Sequence, residues 1–296
     1  MPFFAIVILG FTPGIFWLWV IYSHDKYRPE PRKLVIRTFL IGIAIAIPIA
    51  IVEGIVGRPV IPDRFDLQTT ELTTNQAFYL AFVVAGLIEE LAKFIAVRFT
   101  VYRSPYFDEP IDGIIYASAI ALGFASIENV GYMLSVGWEV IFIRGWLSAL
   151  GHVIFTPFWG YALGRKVLLQ GKGTALVITG LIVAIALHGS FNYFLFINRQ
   201  EFTYLLFAVG IIAFVLMIRL GNKKSPYREK TAMPLLNCAQ CGTDNKYDAA
   251  FCSNCGSQFT KGDSKNTLRC SNCHSELGKD TKFCTNCGSI INKKKL

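Results

Sequence analysis

No cysteine precedes Cys238 in this 296-residue chain, and no Lys or Arg precedes Lys26. The first absence excludes disulfide stapling of everything before the tail. The second removes the basic n-region of a signal peptide, and Met1-Pro2-Phe3-Phe4 leads into an apolar run without a small-residue cleavage site. That run is therefore expected to be a retained helix. Charge is scarce too: 17% of residues are charged and 53% hydrophobic, with a mean hydropathy of +0.45. Such a composition excludes an ordinary soluble domain. Neither a Gly-x-Ser-x-Gly elbow nor a His-Glu-x-x-His pair occurs, so the signatures of a serine hydrolase and of a zincin are both missing.

What is present is a series of apolar runs long enough to cross about 30 Å of hydrocarbon. They fall at roughly 3–22, 34–56, 76–98, 111–134, 140–163, 174–197 and 202–219. The expected fold is an all-α polytopic membrane bundle of about seven helices. Alternate connections differ sharply in basic residues. One set holds Lys26, Arg28, Arg32, Lys33, Arg98, Arg103, Arg165, Lys166, Lys172, Arg219, Lys223, Lys224, Arg228 and Lys230; the other holds Arg58, Arg64, Arg144 and Arg199. The positive-inside rule then puts the N-terminus outside and the C-terminal region in the cytoplasm. The net charge of +9 is accounted for by this bias, without nucleic acid.

Composition changes near Gly221, dividing the chain into a membrane domain at 1–220 and a basic linker at 221–236. The tail carries Cys238-x2-Cys241-x10-Cys252-x2-Cys255 and then Cys270-x2-Cys273-x10-Cys284-x2-Cys287, a repeat offset by 32 residues. Paired thiolates at this spacing close tetrahedral Zn²⁺ sites, and the cytoplasmic placement argues against disulfides. Two short zinc ribbons are expected at 237–257 and 269–290, joined by 258–268 and followed by a basic end at 291–296. Four Cys leave no open coordination position, so these two ions are structural and supply folding energy to modules with little core. Lys293, Lys294 and Lys295 read as a solvated end rather than a nucleic-acid site. Recruitment of a cytoplasmic protein is the role expected for the ribbons.

Six polar groups interrupt the apolar runs: Glu89, Glu90, Lys93, Glu128, His152 and His188. A charge at a membrane helix centre costs roughly 2.5–3.5 kcal/mol, so three Glu and one Lys together imply on the order of 10 kcal/mol. Lys93 follows Glu89 by four residues and Glu90 by three, which permits an internal ion pair on one helix face. Glu128 is followed by Asn129 and preceded by Phe124. His152 precedes Thr156, and His188 precedes Asn192, by one helical turn each. Any one cluster can be a hydrogen bond between helices, and the small residues Ala117, Ser118, Ala119 and Ala121 suit close packing. Four clusters on four consecutive runs suggest chemistry: carboxylates as general base, imidazoles to position water, and an amide for an oxyanion. Two other readings use the same residues. In a membrane sensor or scaffold they only lock helices together; in a proton-coupled transporter they form a relay, although the runs show no internal repeat.

At these residues the chain resembles the PrsW family of intramembrane proteases, relatives of the CAAX prenyl protease and bacteriocin-processing superfamily. The resemblance spans roughly residues 1–219. It rests on Glu89-Glu90-x-x-Lys93, Asp112-Gly113, Gly123-Phe124-Ala125-Ser126-Ile127-Glu128-Asn129, His152 with Thr156, His188 with Asn192, and the loop Asp25-Lys26-Tyr27-Arg28-Pro29-Glu30-Pro31. It implies a membrane-embedded protease that cuts a single-pass membrane protein such as an anti-sigma factor. Carried over, the motifs make Glu89, Glu90, Glu128, His152, His188 and Asn192 catalytic, supported by Lys93, Phe124, Asn129 and Thr156. Glu89 or Glu90 would activate water, His152 and Glu128 would position it, and His188 with Asn192 would stabilise the oxyanion. In the wider superfamily the position of Glu128 is commonly His. A metal held by Glu and two His is the competing version; the missing His-Glu-x-x-His pair favours metal-free activation.

Overall fold

A computed structural model of the chain describes residues 1–61, 72–170 and 172–228, and in the tail 236–245, 254–258, 268–269 and 276–277. Two compact units emerge, Met1–Arg228 and Glu229–Leu296. In the first, nine α-helices follow one another among the described residues. They are α1 (Phe3–Tyr22), α2 (Arg32–Gly57), α3 (Thr74–Phe78), α4 (Glu90–Thr100), α5 (Pro110–Ser135), α6 (Arg144–Phe155), α7 (Pro157–Leu168), α8 (Thr174–Phe196) and α9 (Gln200–Lys223).

Five of them, α1, α2, α5, α8 and α9, are long and apolar enough to cross a membrane uninterrupted. The third and fifth apolar runs fold differently from the single spans expected for them. Between α3 and α4 the chain winds as a π-helix, Tyr79–Glu89, the widened geometry that often accompanies functional sites. The fifth run breaks into α6 and α7 at Thr156-Pro157. Proline has no N–H to continue the hydrogen-bond ladder, and its ring crowds the preceding turn. Pro13 and Pro48, by contrast, are accommodated inside α1 and α2.

Helix α5 is the axis of the bundle, with nearly every residue from Pro110 to Ser126 buried. It begins sharply because Pro110 supplies the first helical residue, and because Asp112 Oδ2 accepts the N–H groups of Asp108 (2.8 Å) and Glu109 (2.7 Å). Glycine permits its closest crossings. A Cβ on Gly113 would strike the carbonyl of Gly160 on α7, and one on Gly123 the carbonyl of Phe39 on α2. These are the small-residue contacts by which helices associate in lipid. Around this axis large apolar side chains point outward, among them Ile8, Trp19, Ile47, Ile51, Ile178, Ile182, Leu205 and Ile212. An outward apolar surface with polar groups gathered inside is the arrangement of a membrane protein.

In the tail unit, β1 (Leu236–Asn237) pairs antiparallel with β2 (Asp244–Asn245), and β3 (Leu268–Arg269) with β4 (Glu276–Leu277). Leu236↔Asn245 and Leu268↔Leu277 are equivalent pairs, displaced by the same 32 residues as the cysteines. Gly242 and Gly256, each following a Cys, have φ of +70° and +71°, a left-handed conformation that glycine adopts without strain.

Candidate functional site

Four elements bring the membrane-embedded polar groups together. The junction of the π-helix with α4 supplies Glu89, Glu90 and Lys93; α5 supplies Glu128, α6 His152 and α8 His188. The Lys93 ammonium lies at the centre, fully buried, 2.8 Å from Glu89 Oε2, 3.1 Å from Glu90 Oε1 and 3.1 Å from His152 Nδ1. The Phe124 ring covers it at 4.5 Å. An ammonium group can only donate, so His152 Nδ1 accepts from it. The other ring nitrogen, Nε2, then carries the proton and donates to Glu128 Oε2 at 3.0 Å.

The two adjacent glutamates differ in their surroundings. Glu90 is wholly buried and saturated with donors. Lys93 and Thr156 Oγ1 (3.2 Å) donate to its Oε1, Trp159 Nε1 donates to Oε2 at 3.1 Å, and His188 Nδ1 approaches Oε1 at 3.1 Å. Thr156 and Trp159, three residues apart and so on one helical face, meet the same carboxylate that His188 reaches from α8. Glu89 retains slight exposure, receives Lys93 on Oε2, and lies 3.9 Å from His188 Nε2. That separation is too long for a direct hydrogen bond, and one bridging water can span it. With His188 Nδ1–H given to Glu90, Nε2 presents a lone pair toward this gap.

A small depression opens beside these groups, bordered by Glu128, Arg144, Ser148, His152, His188 and Asn192. The Glu128 side chain is 26% exposed and also faces Arg144 at 3.6 Å. Asn192 Nδ2 donates to the His188 carbonyl at 3.4 Å. Asn129 does not face the cluster. Its amide donates to the carbonyls of Gly10 (3.4 Å) and Gly145 (3.3 Å), bracing α1 and α6 against α5.

Two further participants lie outside the sequence motifs. Glu53, on α2, lies near Glu89, Glu128 and Lys93 and shares their electrostatic environment. The one signal for Glu53 is its charge within an apolar run, and its place near the end of that run masks it. Trp159 has a weaker one: a buried indole N–H needs an acceptor, but nothing local identifies Glu90.

In the tail, one sulfur from each of Cys238, Cys241 and Cys255 lies within 4.8 Å of the others, and Cys238 Sγ is 3.7 Å from Cys255 Sγ. A zinc tetrahedron with Zn–S bonds of about 2.3 Å has edges of about 3.8 Å, so the donor set fits zinc. Cys252, Cys270, Cys273, Cys284 and Cys287 lie outside the described residues.

Comparison with known proteins points the same way. The family described as PrsW family intramembrane metalloprotease matches residues 30–219, and the double zinc ribbon matches residues 238–288. Protease PrsW of Bacillus subtilis (strain 168) is 31% identical over 193 residues, covering 65% of this chain and 83% of that protein. Protease PrsW of Geobacillus kaustophilus is 28% identical over 237 residues, covering 78% and 97%. Protease PrsW of Clostridioides difficile (strain 630) is 31% identical over 219 residues, covering 72% and 87%. No solved structure gives a significant match.

The family description includes a metal, and Glu89, His152 and His188 do offer ligand atoms within 4.8 Å of one another. As arranged, the set does not fit a catalytic zinc. His152 Nδ1 spends its lone pair on Lys93, and the Lys93 ammonium already supplies a positive charge against both Glu89 and His152.

Proposed function

The chain belongs to the PrsW family of intramembrane proteases, and on that premise we propose that it hydrolyses a peptide bond of a single-pass membrane protein with water activated by Glu89. The observation that carries this reading is the contrast between neighbouring carboxylates: Glu90 is saturated by donors from three helices, while Glu89 accepts from Lys93 and lies 3.9 Å from His188 Nε2, a separation that one water can bridge. A water in that gap donates one proton to Glu89 and is oriented by His188 Nε2. Its oxygen attacks the scissile carbonyl, Glu89 takes the proton and passes it to the departing amine, and the C–N bond breaks. Asn192, which borders the depression beside His188, donates to the oxyanion in this reading. Glu128 and His152 form the wall that positions water and substrate, while Lys93 and Glu53 hold the Glu89 carboxyl in place from its other sides.

The substrate class is a membrane-anchored regulatory protein such as an anti-sigma factor. The basic-residue asymmetry supports an outside N-terminus and cytoplasmic ribbons. The ribbons, holding two structural zinc ions, recruit a cytoplasmic partner. The test compares membrane proteomes of cells carrying wild-type and Glu89→Gln protein. One single-pass protein should be shortened only with wild type; an unchanged proteome under every stress applied would overturn the reading.

Water activation without a metal gives a separate expectation. Metal analysis of purified full-length protein should find two zinc ions per chain, as the tetrathiolate spacing requires, and the same content in His188→Ala. A third ion that disappears with the imidazole would refute metal-free activation.

A further inference from the structure

The loop Asp25–Pro31 and the pair Asp112-Gly113 have no part in the proposed hydrolysis, yet they converge elsewhere in the fold. One carboxylate oxygen from each of Asp25, Glu30 and Asp112 lies within 4.8 Å of the other two, and the residues are only 6%, 3% and 0% exposed. Asp112 and Glu128 share α5, and their separation of 16 positions corresponds to about 24 Å of helix. The cluster is therefore separate from the Glu89 site.

Each carboxylate is fixed on one side. Asp25 Oδ2 accepts the Glu30 N–H at 3.0 Å, Glu30 Oε2 accepts the Tyr116 hydroxyl, and Asp112 Oδ2 caps α5. Among the described residues, Asp25 Oδ1 and Asp112 Oδ1 are buried and receive no N–H or O–H donor, while the Glu30 and Asp112 carboxyl groups stand beside each other. Arg28, in the same loop, is already committed elsewhere, since it pairs with Asp108 and donates to Tyr227 Oη at 2.5 Å. Among the described residues, none of the three makes an ion pair with Lys or Arg. Three ionised carboxylates at this separation repel strongly in a poorly solvated site.

We propose that Asp25, Glu30 and Asp112 bind a hard divalent cation, Mg²⁺ or Ca²⁺, that fastens the turn between α1 and α2 to the start of α5. An all-oxygen set without imidazole or thiolate selects such ions over zinc. Ligands within 4.8 Å of one another span a cation at about 2.0–2.6 Å, with water completing the shell.

The test uses full-length, zinc-loaded protein in detergent, desalted without chelator. Thermal unfolding is followed against MgCl₂ and CaCl₂ separately at fixed ionic strength. At about 100 times Kd, a saturable rise of about 5–10 °C in Tm is expected for the preferred ion. Glu30→Gln and Asp25→Asn should each raise the half-point concentration at least tenfold, with zinc content unchanged. Either variant alone suffices if the other does not fold. A Tm insensitive to both salts would overturn the proposal and leave a proton-sharing cluster. So would a rise that persists undiminished in the variants.

Discussion

Glu89→Gln should lower peptide-bond cleavage by about 10²–10⁴-fold, the usual contribution of a general base, while leaving the thermal stability of the purified protein nearly unchanged. Glu89 accepts one charged hydrogen bond, and Gln can still accept from Lys93 Nζ across the present 2.8 Å. The neighbouring Glu90→Gln should behave in the opposite order. Glu90 accepts from Lys93, Thr156 and Trp159 and pairs with His188, so a neutral amide both loses ionic partners and turns an N–H₂ toward donors. It should lose stability by several kcal/mol, as expected when one member of a buried charge network is neutralised. Cleavage of the substrate found by proteomics, measured in proteoliposomes alongside thermal unfolding, separates the two. Equal activity loss without destabilisation in Glu90→Gln would move the base to Glu90.

Lys93→Met should destabilise the membrane domain by about 3–5 kcal/mol, the cost of removing one partner from a buried ion pair. Met has nearly the same shape, so the loss is electrostatic: Glu89, Glu90 and the His152 Nδ1 lone pair all forfeit the same donor. The double variant Glu90→Gln/Lys93→Met should be more stable than the sum of the single losses predicts, because both charges leave the interior together. Thermal and detergent-unfolding curves of the four proteins measure this coupling. Additive losses would mean that Lys93 does not serve Glu90.

Several features are legible in the order of residues alone. The 32-residue cysteine repeat anticipates two equivalent hairpins, because metal-binding turns fix the strands that flank them; Leu236↔Asn245 and Leu268↔Leu277 are that repeat in register. The insertion cost of charges singles out Glu89, Glu90, Lys93, Glu128, His152 and His188, and all six converge on one cluster. Helical spacing also anticipates both carboxylate contacts of Lys93, since they are local to one turn.

Other features are not legible in this way. Glu53 carries the same insertion cost, yet a lone Glu near the end of a run resembles an interfacial residue and does not stand out. Asn129 carries the same polar signal as its neighbour Glu128, but points to carbonyls of α1 and α6. The third and fifth runs have the hydropathy of single helices. Their interruptions depend on a π-wound backbone and on where Pro157 falls relative to Glu90's donors.

The sequence by itself determined that the chain is embedded in a membrane, that reactive groups lie within it, and that a thiolate tail is suited to zinc, since these follow from composition and local spacing. Only the tertiary structure decided which of two adjacent glutamates is saturated with donors from distant helices and which is held chiefly by Lys93. The deciding donors, Thr156, Trp159 and His188, lie 66, 69 and 98 residues from Glu90. The convergence of Asp25, Glu30 and Asp112 was likewise decided only by the packing of α5 against the turn after α1. Local patterning sets the cost of burying a charge; packing over long sequence distances sets the partners that make it tolerable.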